Sequence, residues 1–406
     1  MIFKGDGGGM AAGVNVKKPR IQSIDILKGG AIIGVVAAHL MFIQNSQAIE
    51  DSFNFVFNAG ELLYAALPMF LVLSGYFYKP GDLWYNIKRK VIPLVTGLVV
   101  CTVVLTVIMY YYLGFLGYDL SNSDFWGDII EIVIGKGYFE DIYGDKFTGE
   151  MILDVYEVTL PYYFLQIMAV GYLIFFPIVD YTIKNWKRLV AVSFVLLTIT
   201  CVYMELVHIQ LPFYAQLGPL VAVFYLIGAF MAKHNVAHRL EDGYREKRYW
   251  MILGALIIAS VACICIIPTN MALIYSEFGD YGGFSVYTFV ITSMTCGMVL
   301  FYCAALGTHI PWLRDVLSLP GRASLAIFAL HMFVAKLIVA PFVELNTETW
   351  IPLTSIPLSL LLAVCTVFMI AIILMTIRKL LPKNITEIIE DEEAAANTDI
   401  STTPYK

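Results

Sequence analysis

The chain has 406 residues, of which 59% are hydrophobic and only 14% are charged, whereas a typical soluble domain has roughly 45–50% apolar and about 25% charged residues. A soluble fold cannot bury this much apolar surface, so the composition predicts a polytopic membrane protein and excludes a disordered chain, a coiled coil and a disulfide-stabilised scaffold. The net charge of −6 provides no basic surface for nucleic acid, so the partner expected first is the lipid bilayer.

Ten apolar runs have the length of about 20 residues that a membrane-spanning helix requires. They predict an all-α bundle of about ten transmembrane helices, with spans at 24–43, 60–78, 91–117, 158–180, 189–208, 211–232, 249–267, 286–308, 323–343 and 355–377. The seven Cys residues lie in apolar runs without the spacing of zinc ligands, so no metal is predicted.

The basic residues predict the orientation of this bundle. With the N-terminus in the cytosol and the spans alternating, 22 of the 26 Lys and Arg residues fall in cytosolic segments and only Lys136 and Lys146 fall in outer segments. Cytosolic loops of membrane proteins carry such an excess of basic residues. Both termini are therefore expected in the cytosol. The charge distribution fits a plasma membrane and an internal membrane equally, and the location expected is the plasma membrane, as a multi-pass protein.

The same assignment divides the chain into three parts. We expect a disordered cytosolic N-terminus at 1–20, a transmembrane domain at 21–383 and an acidic, disordered cytosolic tail at 384–406. Within the domain, the outer segment 118–157 carries ten acidic residues and two Lys together with Trp and Tyr. These side chains can stack on sugars and bond their hydroxyls, or they can form an ordinary aromatic belt at the membrane surface.

The first predicted span carries three polar side chains along one face. Lys28 and His39 are eleven residues apart, which is about three helical turns, and Asp25 lies within about 60° of Lys28. The rise of about 16 Å from Lys28 to His39 brings the imidazole near mid-membrane. Polar groups at this depth normally face a cavity. The alternatives are that Lys28 snorkels to the surface beside Asp25, and that His39 makes a buried hydrogen bond between helices.

Three further residues in later spans are candidates for the same site. Ser74 lies near the cytosolic end of the second span, where it either lines a polar path or bonds back to its own helix. Arg322 begins a late span at the inner boundary, and His331 follows nine residues later, about 13–14 Å deeper. We therefore expect Arg322 near Lys28 and His331 at the depth of His39.

Four segments resemble, in order, the motifs of the acyltransferase-3 family of membrane acyltransferases. The segment 24–39 resembles the family's I-D-x-L-R-G start, in which an Arg is followed by ten residues and then a His. The segment 69–77 resembles its F-F-V-L-S-G-F segment. The segment 163–177 resembles its W-F-L…Y-L…P helix, and 322–331 resembles its S-L…Y-L-x-H helix. Lys28 replaces the usual Arg, which keeps the charge but loses the bidentate fork, and Tyr163 replaces the usual Trp. The extracellular hydrolase domain that some members carry is not expected here.

The resemblance implies a membrane O-acyltransferase that moves an acyl group, often acetyl, from acetyl-CoA or another cytosolic acyl-CoA to a hydroxyl of a cell-envelope glycan or a lipid-linked sugar. It implies a general base at His39, since an imidazole titrates near neutral pH. The site residues expected from it are His39, Asp25 and His331 for catalysis, and Lys28, Arg322 and Ser74 for donor binding. A homo-oligomer is compatible with this interpretation.

Two other function classes remain open from the residues alone. A transporter or flippase also places polar groups at mid-membrane, although the two halves of this chain show no convincing internal repeat. A transmembrane N-acetyltransferase that acts on the amine of an amino sugar has a similar first helix but lacks the V-L-S-G segment.

Overall fold

Helices joined by turns make up nearly all of the described part of the chain. The computed structural model describes residues 20–43, 66–115, 125–135, 162–207, 211–266, 285–334 and 352–380, and these residues contain no strand. The helices are α1 (Gln22–Ile43), α2 (Ala66–Tyr76), α3 (Leu83–Asn86), α4 (Ile92–Phe115), α5 (Phe125–Ile134), α6 (Tyr163–Thr182), α7 (Trp186–Leu206), α8 (Gly218–Lys233), α9 (Val236–Gly243), α10 (Lys247–Ile266), α11 (Ser285–Gly307), α12 (Pro311–Arg322), α13 (Ser324–Val334) and α14 (Pro352–Leu380). A π-helical turn (Ile87–Val91) joins α3 to α4, and a 3₁₀ segment (Pro212–Leu217) leads into α8.

Six of the predicted spans are confirmed as long apolar helices. Within the described residues, six helices are long and apolar enough to cross a membrane, and the count rises to seven if α12 and α13, which meet at a bend of 76°, form one broken span. Helices α1, α2 and α14 lie on the predicted spans 24–43, 60–78 and 355–377. The protein is therefore an all-helical, multi-pass membrane protein, while the total of ten spans and the cytosolic termini stay predictions.

Several helix ends that the basic residues place in the cytosol are hydrogen-bonded to one another. The backbone N–H of Ser23, in the first turn of α1, donates to the Glu241 carboxylate of α9 at 2.8 Å. The Tyr78 hydroxyl, just after α2, donates to Asp180 near the end of α6 at 3.1 Å. The Lys233 ammonium at the end of α8 donates to a backbone carbonyl between α6 and α7 at 3.0 Å. We call the end of the bundle at which these three hydrogen bonds lie the basic end.

Helices α2 and α8 cross so closely that only glycine fits at the contact. A Cβ added to Gly228 would collide with the carbonyl oxygen of Val72, and a Cβ added to Gly75 would collide with the carbonyl oxygen of Tyr225. Small residues at helix crossings in membranes let two backbones touch, which favours packing and weak C–H···O contacts. This crossing fixes the position of α2 in the centre of the bundle.

Helices α1 and α12 make a second crossing of the same kind. A Cβ on Gly29 would collide with the carbonyl oxygen of Leu317, and a Cβ on Gly321 would collide with the carbonyl oxygen of Asp25. Helix α1 also packs against α2, α11, α13 and α14. The helix with the polar face is therefore surrounded by other helices, so its polar groups are kept away from lipid.

The α2–α8 crossing provides a test of the fold. We expect Gly228→Ala to destabilise the protein by on the order of 1–3 kcal/mol, because the added methyl group forces the two backbones apart. The measurement is the midpoint of thermal unfolding in detergent.

The matched control is Gly254→Ala in α10, where an added Cβ meets no atom within 4 Å. This change is expected to leave the midpoint unchanged or slightly higher, because Ala favours helix more than Gly does. Equal midpoints for the two variants would show that the crossing is not close in solution.

Candidate active site

Two histidines from different helices meet in the bundle. The ring centroids of His39 in α1 and His331 in α13 lie 5.0 Å apart, with the ring planes at 66°. The His331 side chain is fully buried. The structure thus brings together the two imidazoles that helical spacing predicted at one depth.

Backbone hydrogen bonds define the protonation pattern of this histidine pair. Nδ1 of His39 lies 2.9 Å from the carbonyl oxygen of Val35, and Nδ1 of His331 lies 2.7 Å from that of Phe328. Because a carbonyl oxygen only accepts, each Nδ1 must carry a proton, and a neutral ring then has its lone pair on Nε2. Both bonds stay within the histidine's own helix. The pair therefore offers two Nε2 atoms as proton acceptors.

The Nε2 atom of His331 is the more unusual of the two. It is buried, and within the described residues it has no hydrogen-bond partner. A buried polar atom without a partner costs free energy, and such atoms need an explanation in a native structure. A bound molecule that donates a hydrogen bond beside His39 would satisfy this nitrogen.

Aromatic side chains at and just before the start of α6 contact α13 beside the histidine pair. Phe328 packs on His331 with ring centroids 5.6 Å apart, and Phe164 packs on Phe328 at 5.2 Å. The buried Tyr162 hydroxyl donates to the carbonyl oxygen of Ala329 at 2.9 Å. These contacts keep α13 and its imidazole against α1.

At the basic end, the α1–α12 crossing sets Arg322 opposite Asp25. Nε of Arg322 lies 4.0 Å from Oδ2 of Asp25, and about half of the Arg322 side chain (54%) is exposed. Asp25 also lies within electrostatic range of Lys28 and Arg20. The acid thus lies between several cations, at the opposite end of α1 from His39, and its role in catalysis stays a prediction.

Lys28 is positioned by an aromatic ring as well as by Asp25. Its ammonium lies 4.9 Å from the centroid of Phe77, which follows α2 directly. A cation over an aromatic face is held by the ring quadrupole without losing its charge. The Lys28 side chain therefore extends from α1 to the loop after α2.

Sequence reasoning missed a second group of cations beside Lys28. Lys90 in the π-helical turn lies within electrostatic range of Lys28, Lys79 and Arg89. Residues 88–90 are among the 22 basic residues that predict the orientation of the bundle, and three consecutive cations are the signal in the sequence that points to this group. We call Arg20, Lys28, Lys79, Arg89, Lys90 and Arg322 the cation cluster.

The Ser74 hydroxyl is bonded within α2. Its hydroxyl donates to the carbonyl oxygen of Phe70 at 2.8 Å, so the back-bond to its own helix that sequence analysis left open is present. It also lies beside the hydroxyl of Tyr172, whose ring stacks on Tyr225 at 4.4 Å. Its role in donor binding stays a prediction.

Part of the predicted outer segment 118–157 is described, as helix α5. The side-chain amide of Gln166 in α6 donates to the carbonyl oxygens of Ile132 at 2.7 Å and Val133 at 3.0 Å. Trp126 in the first turn of α5 is 67% exposed. Residues 1–19 of the N-terminal segment 1–20 and the whole tail 384–406, both predicted to be disordered, lie outside the described residues, as do 116–124 and 136–161.

Most of the chain matches a known protein family. The model of acyltransferase family 3, described as an acyltransferase domain, matches residues 21–376. The match runs from α1 into α14 and includes all the predicted site residues. No curated protein and no solved structure is significantly similar to the chain.

The Tyr162 bond to α13 can be tested without any ligand. Tyr162→Phe removes a buried donor, and we expect it to lower stability by on the order of 1 kcal/mol. Tyr111→Phe is the control, because the Tyr111 side chain is 80% exposed. Thermal midpoints in one detergent compare the two, and a drop of the same size in both would contradict the bond to Ala329.

Proposed function

The chain belongs to the acyltransferase-3 family, so it is a membrane acyltransferase, and we propose that it transfers an acyl group, acetyl in the simplest case, from cytosolic acyl-CoA to a hydroxyl of a cell-envelope glycan or lipid-linked sugar. The observation that carries this proposal is the arrangement on α1. A histidine pair with an unpartnered Nε2 lies toward one end of the helix, and the cation cluster lies at the other.

The cation cluster supports a phosphate-bearing donor. CoA is a polyanion, and Lys and Arg form short, charge-assisted hydrogen bonds with phosphate oxygens. Arg322 has an exposed guanidinium and a carboxylate beside it, so its fork can bind phosphate while Asp25 holds its orientation. Lys28 contributes a second charge from α1.

The separation of the two groups suits the donor's shape. Lys28 and His39 lie on one face of α1, with a rise of about 16 Å between them. The pantetheine arm of CoA is long and narrow. With the phosphates at the cation cluster, the arm would run along α1 and deliver its thioester to the histidine pair.

The histidine pair supports proton transfer during attack on that thioester. In the proposed step, Nε2 of His39 takes the proton of the acceptor hydroxyl while the oxygen forms a bond to the thioester carbon. The carbon–sulfur bond then breaks, and the proton passes to the sulfur, which leaves an ester and free CoA thiol. His331, through its own Nε2, accepts a hydrogen bond from a reacting group and so aligns it. A route through an acyl-enzyme would use a side-chain nucleophile in two such steps.

The acceptor is proposed to approach from the side of α5. Its exposed Trp126 offers a flat apolar ring of the kind on which sugars stack, and α5 is anchored to α6, which also contacts α13 through Tyr162. A hydroxyl acceptor distinguishes this proposal from N-acetyl transfer to an amine.

The role of His39 gives the first functional test. His39→Ala is expected to lower turnover by about 10²–10⁴-fold, since it removes the general base, and to leave CoA affinity within about twofold because the phosphates bind elsewhere. Proteoliposomes with radiolabelled acetyl-CoA and a cell-envelope extract as acceptor provide the rate.

His234→Ala is the matched control, because His234 is an exposed imidazole just after α8 at the basic end. Normal turnover in His39→Ala would show that another group is the base.

The role of Lys28 is tested by salt. Lys28→Ala should weaken CoA binding more at low than at high ionic strength, because a contact to phosphate is screened by salt. The shift of the thermal midpoint with CoA measures binding, since a ligand of the folded state raises that midpoint. A loss of the same size at every salt concentration would indicate a structural role.

The product identifies the acceptor group. An ester of a sugar hydroxyl loses its labelled acetyl group in mild alkali, whereas an amide keeps it. We expect an alkali-labile product, and an alkali-stable one would favour N-acetyl transfer.

A further inference from the structure

We infer that Glu241 of α9 is a positioning residue for donor binding, because its carboxylate holds the first turn of α1, which carries Asp25 and leads directly to Lys28. The inference rests on the proposed CoA donor at the basic end. It assigns a role to α9, a short helix between α8 and α10 that the proposed reaction does not otherwise use.

The beginning of α1 takes its hydrogen-bond acceptor from a distant part of the chain. The first N–H groups of a helix have no partner within the helix, and a Ser, Thr, Asp or Asn just before it usually supplies the oxygen. Here the preceding residue is Ile21, whose side chain has no oxygen. The N–H of Ser23 donates instead to Oε1 of Glu241 at 2.8 Å, across 218 positions of the sequence. A carboxylate at this end of a helix also interacts favourably with the helix dipole.

Glu241 is itself held in place by contacts to α9 and to the end of α11. Its backbone carbonyl oxygen lies 3.0 Å from Nε2 of His309, just after α11, and this nitrogen donates because a carbonyl oxygen only accepts. The ring of His309 stacks on Tyr244, just after α9, with the ring centroids 3.8 Å apart. The other carboxylate oxygen of Glu241 lies 3.7 Å from Nδ1 of His238, one turn earlier in α9. The acceptor for α1 therefore has a fixed position.

The turn that this hydrogen bond holds sets the position of the groups proposed to bind the donor. Asp25 lies two residues after Ser23, and its carboxylate lies 4.0 Å from Nε of Arg322. Lys28 follows three residues later, with its ammonium 4.9 Å from the centroid of Phe77. A first turn that frays displaces both groups of α1 from these partners.

The proposed chemistry takes place well away from this turn. His39 lies eleven residues after Lys28, which is about 16 Å further along α1. Fraying is confined to the ends of helices, and the interior of a packed helix keeps its structure. Loss of the Glu241 hydrogen bond is therefore expected to weaken donor binding and to leave the rate of the chemical step unchanged.

The negative charge of Glu241 acts in the opposite direction to its hydrogen bond. An acid near a phosphate site repels the donor, so removal of the charge alone favours binding. Gln at position 241 lacks the charge but keeps an oxygen that can accept from the Ser23 N–H, whereas Ala lacks both. The two substitutions therefore distinguish positioning from charge.

The test compares Glu241→Ala with Glu241→Gln in the acetyl-transfer assay. We expect Glu241→Ala to raise KM for acetyl-CoA about fivefold to tenfold, because the charge-assisted contacts to phosphate become misaligned. It should leave kcat within about twofold of the wild type, because the lost interaction acts on binding alone. Glu241→Gln should keep KM within about twofold, because its amide oxygen still holds the first turn. Rates in proteoliposomes over a range of acetyl-CoA concentrations give both constants.

Hydrogen exchange of the ligand-free protein tests the same hydrogen bond without a donor. We expect the amides in the first turn of α1 to exchange on the order of tenfold faster in Glu241→Ala than in the wild type or in Glu241→Gln. Mass spectrometry of the peptides that contain this turn provides the rates.

Two further variants complete the experiment. His309→Ala removes the bond to the Glu241 carbonyl oxygen and should change KM and exchange in the same direction as Glu241→Ala, which covers the case in which Glu241→Ala does not fold. Asp242→Ala is the matched control, because Asp242 is the next acid of α9 and is exposed. This control should leave exchange unchanged and KM within about twofold, since single surface charges contribute little.

Three outcomes overturn the inference alone, in a wild-type protein that transfers acetyl from acetyl-CoA. The first is an unchanged KM in Glu241→Ala, whatever happens to kcat. The second is a raised KM without faster exchange in the first turn of α1. The third is an equal change of KM in Glu241→Ala and Glu241→Gln, which would mean that the charge acts and not the hydrogen bond. A wild-type protein that does not use acetyl-CoA would instead overturn the proposed donor, and the inference with it.

Discussion

The contact between the backbones of α1 and α12 at Gly29 and Gly321 is the constraint on which the candidate site depends. Because neither position has room for a Cβ, the two helices are held at the closest distance that backbones permit, and Arg322 is held opposite Asp25. The chain then bends by 76° into α13, which carries His331 back against α1 and sets it beside His39. One crossing thus determines both ends of the site.

The arrangement of polar groups along α1 follows from the cost of placing them in a membrane. The charged side chains of α1, Asp25 and Lys28, lie at the basic end, where Arg322 lies opposite Asp25 and the Phe77 ring lies under the Lys28 ammonium. The imidazoles, which can be neutral, occupy the interior and satisfy their Nδ1–H groups on their own helices. Among the buried side-chain nitrogens of the described residues, only Nε2 of His331 is without a hydrogen-bond partner, so a bound donor group would satisfy it. For this reason, the residues proposed to bind the phosphates of the donor and the residues proposed to transfer protons lie at different positions along α1.

Helical periodicity and hydropathy were sufficient for much of this arrangement. The spacing of Lys28 and His39 predicted one face of one helix, and both residues lie in α1. The prediction of a single span that begins at Arg322 and carries His331 was wrong in detail, because Arg322 ends α12 and His331 lies in α13, beyond a bend of 76°. Six spans followed from hydropathy because an apolar run of sufficient length has no stable alternative to a helix in lipid. Three consecutive cations at 88–90 were visible in the sequence, but their position beside Lys28 was not predictable, because a π-helical turn and the fold of the loop after α2 depend on tertiary contacts such as that of Asn86 with Gly81.

The sequence by itself determined that this protein is a helical membrane protein, which residues share the polar face of α1, and that its motifs resemble those of the acyltransferase-3 family. Each of these depends on local composition or on spacing within a helix, which neighbouring helices do not alter. Only the tertiary structure decided that the two histidine rings lie 5.0 Å apart, that Ser74 bonds to its own helix, and that Lys90 joins Lys28. Distances between helices depend on how closely backbones approach and where the chain bends, and these result from packing across the whole bundle.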